Sequence, residues 1–391
     1  MRTVTAIVKK ITGLVGISFV LDTRTDIRVA LAAHDLGDTV ARSNVARSKF
    51  TSMRVVAAVD KFRGTATGAE VAAAIGHACW ELGHDCDEIA LADGGEGLLE
   101  VLGGPNRTTN VTGPLGNTIE APWRIDRGTA IIEMALASGL MLAGGKRGND
   151  PMAATTAGTG QLIDAAITSG AKRIIVGLGG SATTDGGLGA LKAIRSPARL
   201  GSIELLVACD VTTRFTEAAA VFGPQKGATP TQIKMLTGRL ESLAGQYARE
   251  YGVDVGAIEG SGSAGGLAGA LAALGGRLLP GFDLVADEVD LYERIERADL
   301  VITGEGRLDQ QSFEGKVVGG VAKIADNFGV PVAAIVGIAD DDVRDRIPTW
   351  ALADRFGVER AEREPLWCIE RVAHDVLGDV RLNTERAHHD R

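Results

Sequence analysis

The chain has 391 residues, of which 45% are hydrophobic and 23% are charged, a balance typical of globular proteins rather than disordered ones. Only 4% of residues are aromatic and the net charge is −9, so neither base stacking nor electrostatic attraction to nucleic acid or anionic membranes is predicted. No apolar stretch reaches about 18 residues, so no membrane span is predicted. The composition favours a soluble, cytoplasmic enzyme.

Residues 1–52 differ from the rest of the chain. Their apolar run at 11–21 follows two lysines, but charged residues interrupt the path to a cleavage-like site, so the segment fits a signal peptide poorly. From Met53 onwards the sequence enters a β-branched run that ends in a carboxylate. We therefore predict that 1–52 is an N-terminal extension outside the core fold.

Beyond Met53, short β-branched runs alternate with alanine-rich stretches, which is the pattern of an α/β protein. In chain order we predict a strand at 55–59, a helix at 68–82, a strand at 88–92, an antiparallel pair at 119–125 and 129–134, a helix at 160–169, strands at 173–178 and 204–209, a helix at 231–251, a strand at 300–303, a helix at 317–328 and a strand at 330–336. Strand–helix alternation at both ends of the chain, with the antiparallel pair between them, indicates a discontinuous doubly wound domain that carries an inserted mixed α/β domain.

We predict that the doubly wound domain comprises 53–92 and 285–378, that the inserted domain comprises 93–284, and that 379–391 form a polar tail. In open α/β sheets, ligands bind at the carboxyl ends of the strands. Glycine clusters that follow predicted strands are therefore the candidate sites.

Two acidic glycine clusters follow the first two predicted strands. Residues 60–65 read Asp-Lys-Phe-Arg-Gly-Thr, a set that can hold a magnesium–phosphate assembly or an anionic substrate, although an ordinary loop is the simpler interpretation of this cluster alone. Residues 92–97 place Asp93 and Glu96 three positions apart, which suits Mg²⁺ but is also a helix-capping pattern.

The third cluster, 179–187, follows the predicted strand at 173–178 and carries the strongest signal. Its consecutive glycines let backbone N–H groups approach a phosphate without hindrance from a Cβ atom. Hydroxyls and a carboxylate accompany them, at Ser181, Thr183, Thr184 and Asp185. The cluster matches neither a P-loop nor G-x-G-x-x-G. We favour phosphate binding over the alternative, a structural turn capped by its aspartate.

A fourth cluster, 303–309, brings Glu305, Arg307 and Asp309 after a strand; it could position phosphates or form a surface ion-pair network. Asp210 ends another strand, and weaker glycine clusters lie at 155–160, 222–227 and 260–266. None of the six histidines lies in a glycine cluster, and the four cysteines form no C-x-x-C pair, which argues against Ser–His hydrolysis and zinc sites. The remaining groups are those of phosphoryl transfer.

In their order along the chain, these clusters and the segments Glu133-Met134-Ala135, Ala208-Cys209-Asp210 and 260–266 resemble the type I glycerate kinase family, from about Met53 to about Gly378. The resemblance implies a flavodoxin-like domain with an inserted α/β domain and a catalytic cleft between them. It also implies ATP-dependent phosphorylation of D-glycerate, with 2-phosphoglycerate as the usual product of bacterial members. ATP, Mg²⁺ and D-glycerate are thus the expected ligands, and assembly as a homo-oligomer is left open.

Within this frame we assign roles from side-chain chemistry. Asp185, beside the hydroxyl-rich loop, is the predicted base. The predicted magnesium ligands are Asp93, Glu96 and Asp210. Cations that would meet the glycerate carboxylate or the transferring phosphoryl group are Lys61, Arg63 and Arg307. Predicted nucleotide contacts are Gly179, Gly180, Ser181, Thr183, Thr184, Gly304 and Glu305, and predicted substrate contacts are Asp60 and Ser263.

The chain departs from the family pattern at two places. The first cluster carries Lys61 where many members have serine, and the stretch 190–203 is shorter than in many members, which bears on acceptor specificity. Two alternatives therefore stay open: a kinase for another small hydroxy acid or polyol, and a metabolite-binding regulator without turnover. A dehydrogenase is disfavoured because no strand is followed by G-x-G-x-x-G.

Overall fold

The structure is a computed structural model that describes residues 52–389, with side chains described as far as Asp379. The predicted extension at 1–52 therefore lies almost entirely outside the described residues.

Strands and helices alternate along most of the described chain. The strands are β1 Arg54–Val59, β2 Asp85–Ala90, β3 Arg107–Thr112, β4 Thr118–Asp126, β5 Thr129–Glu133, β6 Arg173–Gly177, β7 Glu204–Ala208, β8 Arg277–Leu279, β9 Leu300–Leu308, β10 Val332–Ala339 and β11 Thr349–Ala351. The helices are α1 Gly68–Glu81, α2 Leu98–Val101, α3 Ala135–Ser138, α4 Gly145–Gly148, α5 Ala157–Thr168, α6 Leu188–Ala193, α7 Ala218–Phe222, α8 Pro230–Tyr251, α9 Ser263–Ala273, α10 Gly281–Glu288, α11 Leu291–Glu296, α12 Val317–Phe328, α13 Leu352–Phe356, α14 Val358–Arg363 and α15 Pro365–His389.

One sheet combines strands from the two ends of the described chain. Its order is β2-β1-β9-β10-β11, and every neighbouring pair is parallel. Counted along the chain within this sheet, that order is 2-1-3-4-5, the flavodoxin-like arrangement. The central strand β1 is apolar and fully buried from Val55 to Val59, as expected for a parallel sheet covered by helices on both faces. The predicted flavodoxin-like sheet is thus confirmed.

The second sheet is built from the strands between them, in the order β3-β4-β5-β6-β7-β8. Strands β5 to β8 are parallel, whereas β4 is antiparallel to both β3 and β5. The predicted antiparallel pair corresponds to β4 and β5. The mixed α/β fold class is therefore confirmed, while the domain limits at 92/93 and 284/285 stay a prediction.

Both sheets direct the carboxyl ends of their parallel strands toward a common junction, where backbone atoms are in direct contact. A Cβ on Gly281 would lie 2.1 Å from the carbonyl oxygen of Asp93, and a Cβ on Gly179 would lie 2.6 Å from the Cα of Gly95. Such distances are far below van der Waals contact, so only glycine fits there. The loop after β2 is therefore packed directly onto the ends of the second sheet.

Most predicted elements are close to the observed ones, and the differences have simple causes. Strand β3 was not predicted, because only Val111 among its residues is buried and the alternation is weak. Strand β9 is longer than the predicted 300–303, since it continues through glycines that sequence patterns associate with loops. Residues 379–389 of the predicted polar tail continue helix α15. Between residues 52 and 389, no helix has both the length and the apolar character that a membrane span needs.

The junction between the sheets can be tested with one methyl group. We expect Gly281→Ala to lower the free energy of unfolding by about 3 kcal/mol, because its Cβ collides with backbone that cannot move aside. The matched control is Gly238→Ala in α8, where nothing lies within 4 Å of the new Cβ; this change should stabilise the protein by about 0.5–1 kcal/mol. Denaturant unfolding of both variants measures the difference. Equal stability of the two variants would contradict the proposed contact.

Candidate active site

Two cavities adjoin at the junction of the sheets. The first, of about 460 Å³, is lined from the flavodoxin-like sheet and includes Glu305 and Arg307. The second, of about 430 Å³, is lined largely by loops of the second sheet. Lys61, Arg63 and Asp93 line both cavities, so the two form one cleft with charged side chains at its centre.

The loop after β1 supplies the charged centre of the cleft. The Asp60 backbone N–H donates to the carbonyl of Gly304 (2.9 Å), and the Lys61 N–H donates to Oδ1 of Asp60 (2.7 Å), which fixes the loop against the end of β9. Burial raises the pKa of Asp60, although the neighbouring Lys61 opposes this effect. The Lys61 ammonium donates to the Glu96 carbonyl, whereas Arg63 is exposed and makes no ion pair with any described residue.

Asp210, at the end of β7, faces Asp93 across the junction. Its Oδ1 accepts a hydrogen bond from the N–H of Gly281 (2.6 Å), the first residue of α10. The residue is exposed as a whole, while its carboxyl group lies against the start of α10. Burial raises the pKa of Asp210 to about 7, and the negative charges of Asp93 and Asp283 add to this effect.

Glu305 lies within β9 and lines the first cavity. Burial raises its pKa to about 7, with additional repulsion from Asp60 and Asp309, while a hydrogen bond with Ser312 acts in the opposite direction. Its Oε1 is buried and has no hydrogen-bond partner among the described residues. A buried carboxylate oxygen without a partner is costly and points to a ligand or a catalytic role.

The cationic side chains that line the first cavity make few hydrogen bonds or ion pairs with other described residues. Arg307 donates to Oδ1 of Asp340 (2.8 Å) but stays largely exposed. Lys316, which immediately precedes α12, makes a long hydrogen bond to Gln311 (3.3 Å). Together with Arg63 they give this cavity a positive side suited to a small carboxylate or a phosphoryl group.

The glycine loop after β6 is held in place by the segment that follows β5. Leu140 donates its N–H to the Gly180 carbonyl (2.8 Å), and Ala182 donates its N–H to the Ser138 carbonyl (3.0 Å). The second cavity is lined from this loop by Gly179, Gly180 and Ser181. Farther along, the loop packs against Ala264, a non-glycine residue with a φ of 51° that also lines the second cavity. Strained backbone of this kind is concentrated at functional sites.

The carboxylate of Asp185, the predicted base, is fully engaged in hydrogen bonds within the protein. Its carboxylate accepts four hydrogen bonds, from the N–H and hydroxyl of Thr156 (both 2.9 Å) and from the N–H groups of Gly187 and Gly189 (both 3.1 Å). The residue is 9% exposed and lines neither cavity. This arrangement is that of a carboxylate that fixes the loop. Its assignment as the base stays a prediction.

The structure brings most of the predicted site residues to the cleft. The predicted residues that line one or both cavities are Asp60, Lys61, Arg63, Asp93, Glu96, Gly179, Gly180, Ser181, Ser263, Glu305 and Arg307. Those that line neither cavity are Thr183, Thr184, Asp185, Asp210 and Gly304. Thr183 and Thr184 are fully buried within the loop, and the Thr183 hydroxyl donates to the carbonyl of Ala264 (3.3 Å).

Two residues of the site were not assigned from the sequence. The carboxylate of Glu133 accepts hydrogen bonds from the N–H groups of Gly97 (3.1 Å) and Leu99 (3.3 Å), so it anchors the 93–97 loop to the end of β5. Lys226 is 2% exposed and lines the second cavity. The sequence offers one signal for Lys226, since it is a charged residue in the glycine-rich cluster 222–227. No local sequence pattern indicates that Glu133 reaches the 93–97 loop.

The donor set fits a divalent cation such as Mg²⁺. Asp93, Asp210, Asp60 and Glu305 are carboxylates, the hard oxygen ligands that Mg²⁺ takes. The pKa values of Asp60, Asp210 and Glu305 are raised, and each is raised further by a neighbouring carboxylate. A bound cation would relieve that repulsion.

The profile of the glycerate kinase family matches residues 55–197 and 194–361, which is most of the chain. The chain belongs to the glycerate kinase family. It is 39% identical over 331 residues to glycerate 2-kinase of Escherichia coli K12, with 74% of this chain and 87% of the relative covered. It is 38% identical to glycerate kinase of Bacillus subtilis 168 over 377 residues, with 84% of this chain and 98% of the relative covered.

A solved structure supports the same conclusion at the level of the fold. The crystal structure of a Salmonella typhimurium LT2 protein designated glycerate kinase 2 superimposes with a TM-score of 0.74 and 34% identity, covering 86% of this chain and all of that one. The two parts of the family match overlap at 194–197, within the stretch 190–203 that is predicted to be shorter than in many members. In this chain the stretch holds the end of α6 and the short 3-10 helix Pro197–Ser202 before β7.

Proposed function

We propose that the protein transfers the γ-phosphoryl group of ATP to the 2-hydroxyl of D-glycerate. Family membership supports ATP-dependent phosphorylation of glycerate in general, and the name of the Escherichia coli relative, glycerate 2-kinase, supports the position of transfer. The observation that carries the proposal is the shared lining of the two cavities by Lys61, Arg63 and Asp93. A donor bound in one cavity and an acceptor bound in the other would meet at these residues.

The chemistry of each cavity suggests which ligand it takes. The second cavity offers the glycine loop Gly179–Gly180–Ser181, whose backbone can approach the phosphates of ATP. The first cavity offers Arg63 and Arg307 for the carboxylate of D-glycerate. Phosphoryl transfer depends mainly on positioning and charge neutralisation, and the cleft supplies groups for both.

We propose that Mg²⁺ binds to Asp93 and Asp210. The two residues lie close enough for the negative charge of Asp93 to raise the pKa of Asp210. When bound, the ion would neutralise negative charge on the transferring phosphate. Glu96 was also predicted as a ligand; it is exposed at the rim of the second cavity, so we give it a smaller part.

For the proton acceptor we favour Glu305 over Asp185. Glu305 lines the acceptor cavity, its Oε1 is free among the described residues, and its pKa of about 7 suits a general base that works near neutral pH. Asp185 has both oxygens occupied and lines neither cavity. We infer that Asp185 positions the loop that binds phosphate.

The product identifies both the acceptor and the hydroxyl. With MgATP and D-glycerate, the new phosphate ester should give a doublet in the ³¹P spectrum, because the 2-carbon carries one hydrogen. A triplet would place the phosphate on the 3-hydroxyl, whose carbon carries two hydrogens, and would refute the position of transfer. Product from glycerol but not from D-glycerate would instead favour a polyol kinase. ATP binding without any phosphate ester would favour a silent regulator.

The two candidate bases give different results on substitution. Glu305→Gln should lower kcat by about 10²- to 10⁴-fold while the protein stays folded. In the native protein kcat/KM should rise with pH up to about 7, since the Glu305 carboxylate must be unprotonated, and this rise should be smaller in the residual activity of the variant, in which Asp210 still titrates in the same range. Asp185→Asn should lower the free energy of unfolding by about 1–3 kcal/mol, because backbone donors lose their acceptor.

Steady-state kinetics at several pH values and thermal unfolding of both variants measure these effects. If Glu305→Gln retains nearly native kcat while Asp185→Asn loses turnover at unchanged stability, the base is Asp185 and our choice is wrong.

A further inference from the structure

Lys226 is a buried lysine next to the phosphate-binding loop to which the proposed mechanism gives no role. It ends the turn Pro224–Lys226 and is 2% exposed. Burying a lysine is expensive unless its charge is compensated. No carboxylate within salt-bridge distance compensates it among the described residues, so its position calls for a functional explanation.

The contacts of Lys226 tie it to the loop. Its ammonium donates a hydrogen bond to the carbonyl oxygen of Thr183 (2.6 Å), and it lies 5.9 Å from the centre of the Phe222 ring. The side-chain amide of Asn149 bridges the Lys226 carbonyl (2.9 Å) and the Ala182 carbonyl (3.0 Å). Lys226 and the loop are therefore held together as one rigid unit.

The ammonium keeps capacity for a ligand. It has three N–H donors, of which the Thr183 carbonyl takes one. Lys226 lines the second cavity together with Gly180 and Ser181. A cation at this place, held against a loop of glycines, has the chemistry to bind an anionic phosphate oxygen.

We propose that the ammonium of Lys226 binds a phosphate oxygen of ATP in the second cavity, and that Lys226 takes up a proton when this anion binds. The proposal rests on the proposed function for the identity of the ligand. Burial lowers the pKa of Lys226 to about 7, so above neutral pH the free protein holds it mainly in the neutral form. A bound polyanion favours the charged form and raises that pKa, which draws a proton from solvent.

Other charged groups near Lys226 also influence its pKa and the number of protons exchanged when ATP binds. The negative charge of Asp185 favours the charged form of Lys226 and so raises its pKa. Lys146 on α4 lies beside Gly227, the next residue, and the charged residues that line the same cavity are Lys61, Arg63, Asp93 and Glu96. Because carboxylates near a bound anion also tend to gain protons, the part due to Lys226 must be isolated with a variant.

The first test is calorimetry of ATP binding at pH 8, without metal and without glycerate, in Tris and in Hepes. The phosphates of ATP are already ionised at this pH, since the second pKa of a phosphate is about 6. We expect the wild-type protein to take up close to one proton. Lys226→Gln, whose amide can still donate to Thr183 but carries no charge, should lose most of this uptake. Lys234→Met, an exposed lysine on α8, is the matched control and should behave as wild type.

Kinetics give an independent reading. Lys226→Gln should raise KM for ATP by about 10- to 100-fold and change KM for D-glycerate little, since a charge-assisted hydrogen bond to the nucleotide is lost. If Lys226 only supports the loop, the glutamine variant keeps native KM for ATP. Should Lys226→Gln fail to fold, Lys226→Met replaces it, because methionine fills the same buried space.

Wild-type binding of ATP without proton uptake, or unchanged uptake in the folded variants, would overturn the role of Lys226 while leaving the proposed function intact. Failure of the wild-type protein to bind ATP at all would overturn both. Failure to phosphorylate D-glycerate despite ATP binding and proton uptake would overturn the proposed function alone.

Discussion

The candidate active-site cleft depends on direct backbone contact between the loop after β2 and the ends of the second sheet. Gly281 meets the carbonyl of Asp93, and Gly179 meets Gly95, at distances that admit no side chain. The carboxylate of Glu133 adds two hydrogen bonds to the same loop. Because parallel strands of both sheets end here, this contact holds the charged groups that follow one sheet close to those that follow the other.

The contact also has an electrostatic consequence. It places Asp93, Asp210, Asp60 and Glu305 in a partly buried site where burial raises the pKa of the last three. Carboxylates with pKa values raised toward neutrality destabilise the free protein as pH rises from about 4 to 7, since the folded state then holds more protons than the unfolded state. Such strain is expected in a site that receives cations and phosphates, which restore the charge balance when they bind.

Much of this organisation could be predicted from the sequence, because parallel strands are continuous apolar runs and the glycine clusters follow them directly. The 179–187 loop and the residues Lys61, Arg63 and Asp93 were found in this way. Pairing across long distances could not be predicted. The carboxylate of Asp185 accepts hydrogen bonds from Thr156, 29 residues away, and no local pattern indicates this contact. The same limit applies to Glu133 and to the buried position of Lys226, which local sequence does not reveal.

The central claim is that nucleotide and glycerate occupy the two halves of one cleft. A crystal structure of the protein with ADP and D-glycerate tests it most directly. Our account predicts the phosphates of ADP against the backbone of Gly179–Ser181, with the glycerate carboxylate at Arg63 or Arg307. Nucleotide density away from the glycine loop, in the neighbouring cavity of about 310 Å³ between the start of α1 and the 96–101 segment, would contradict it.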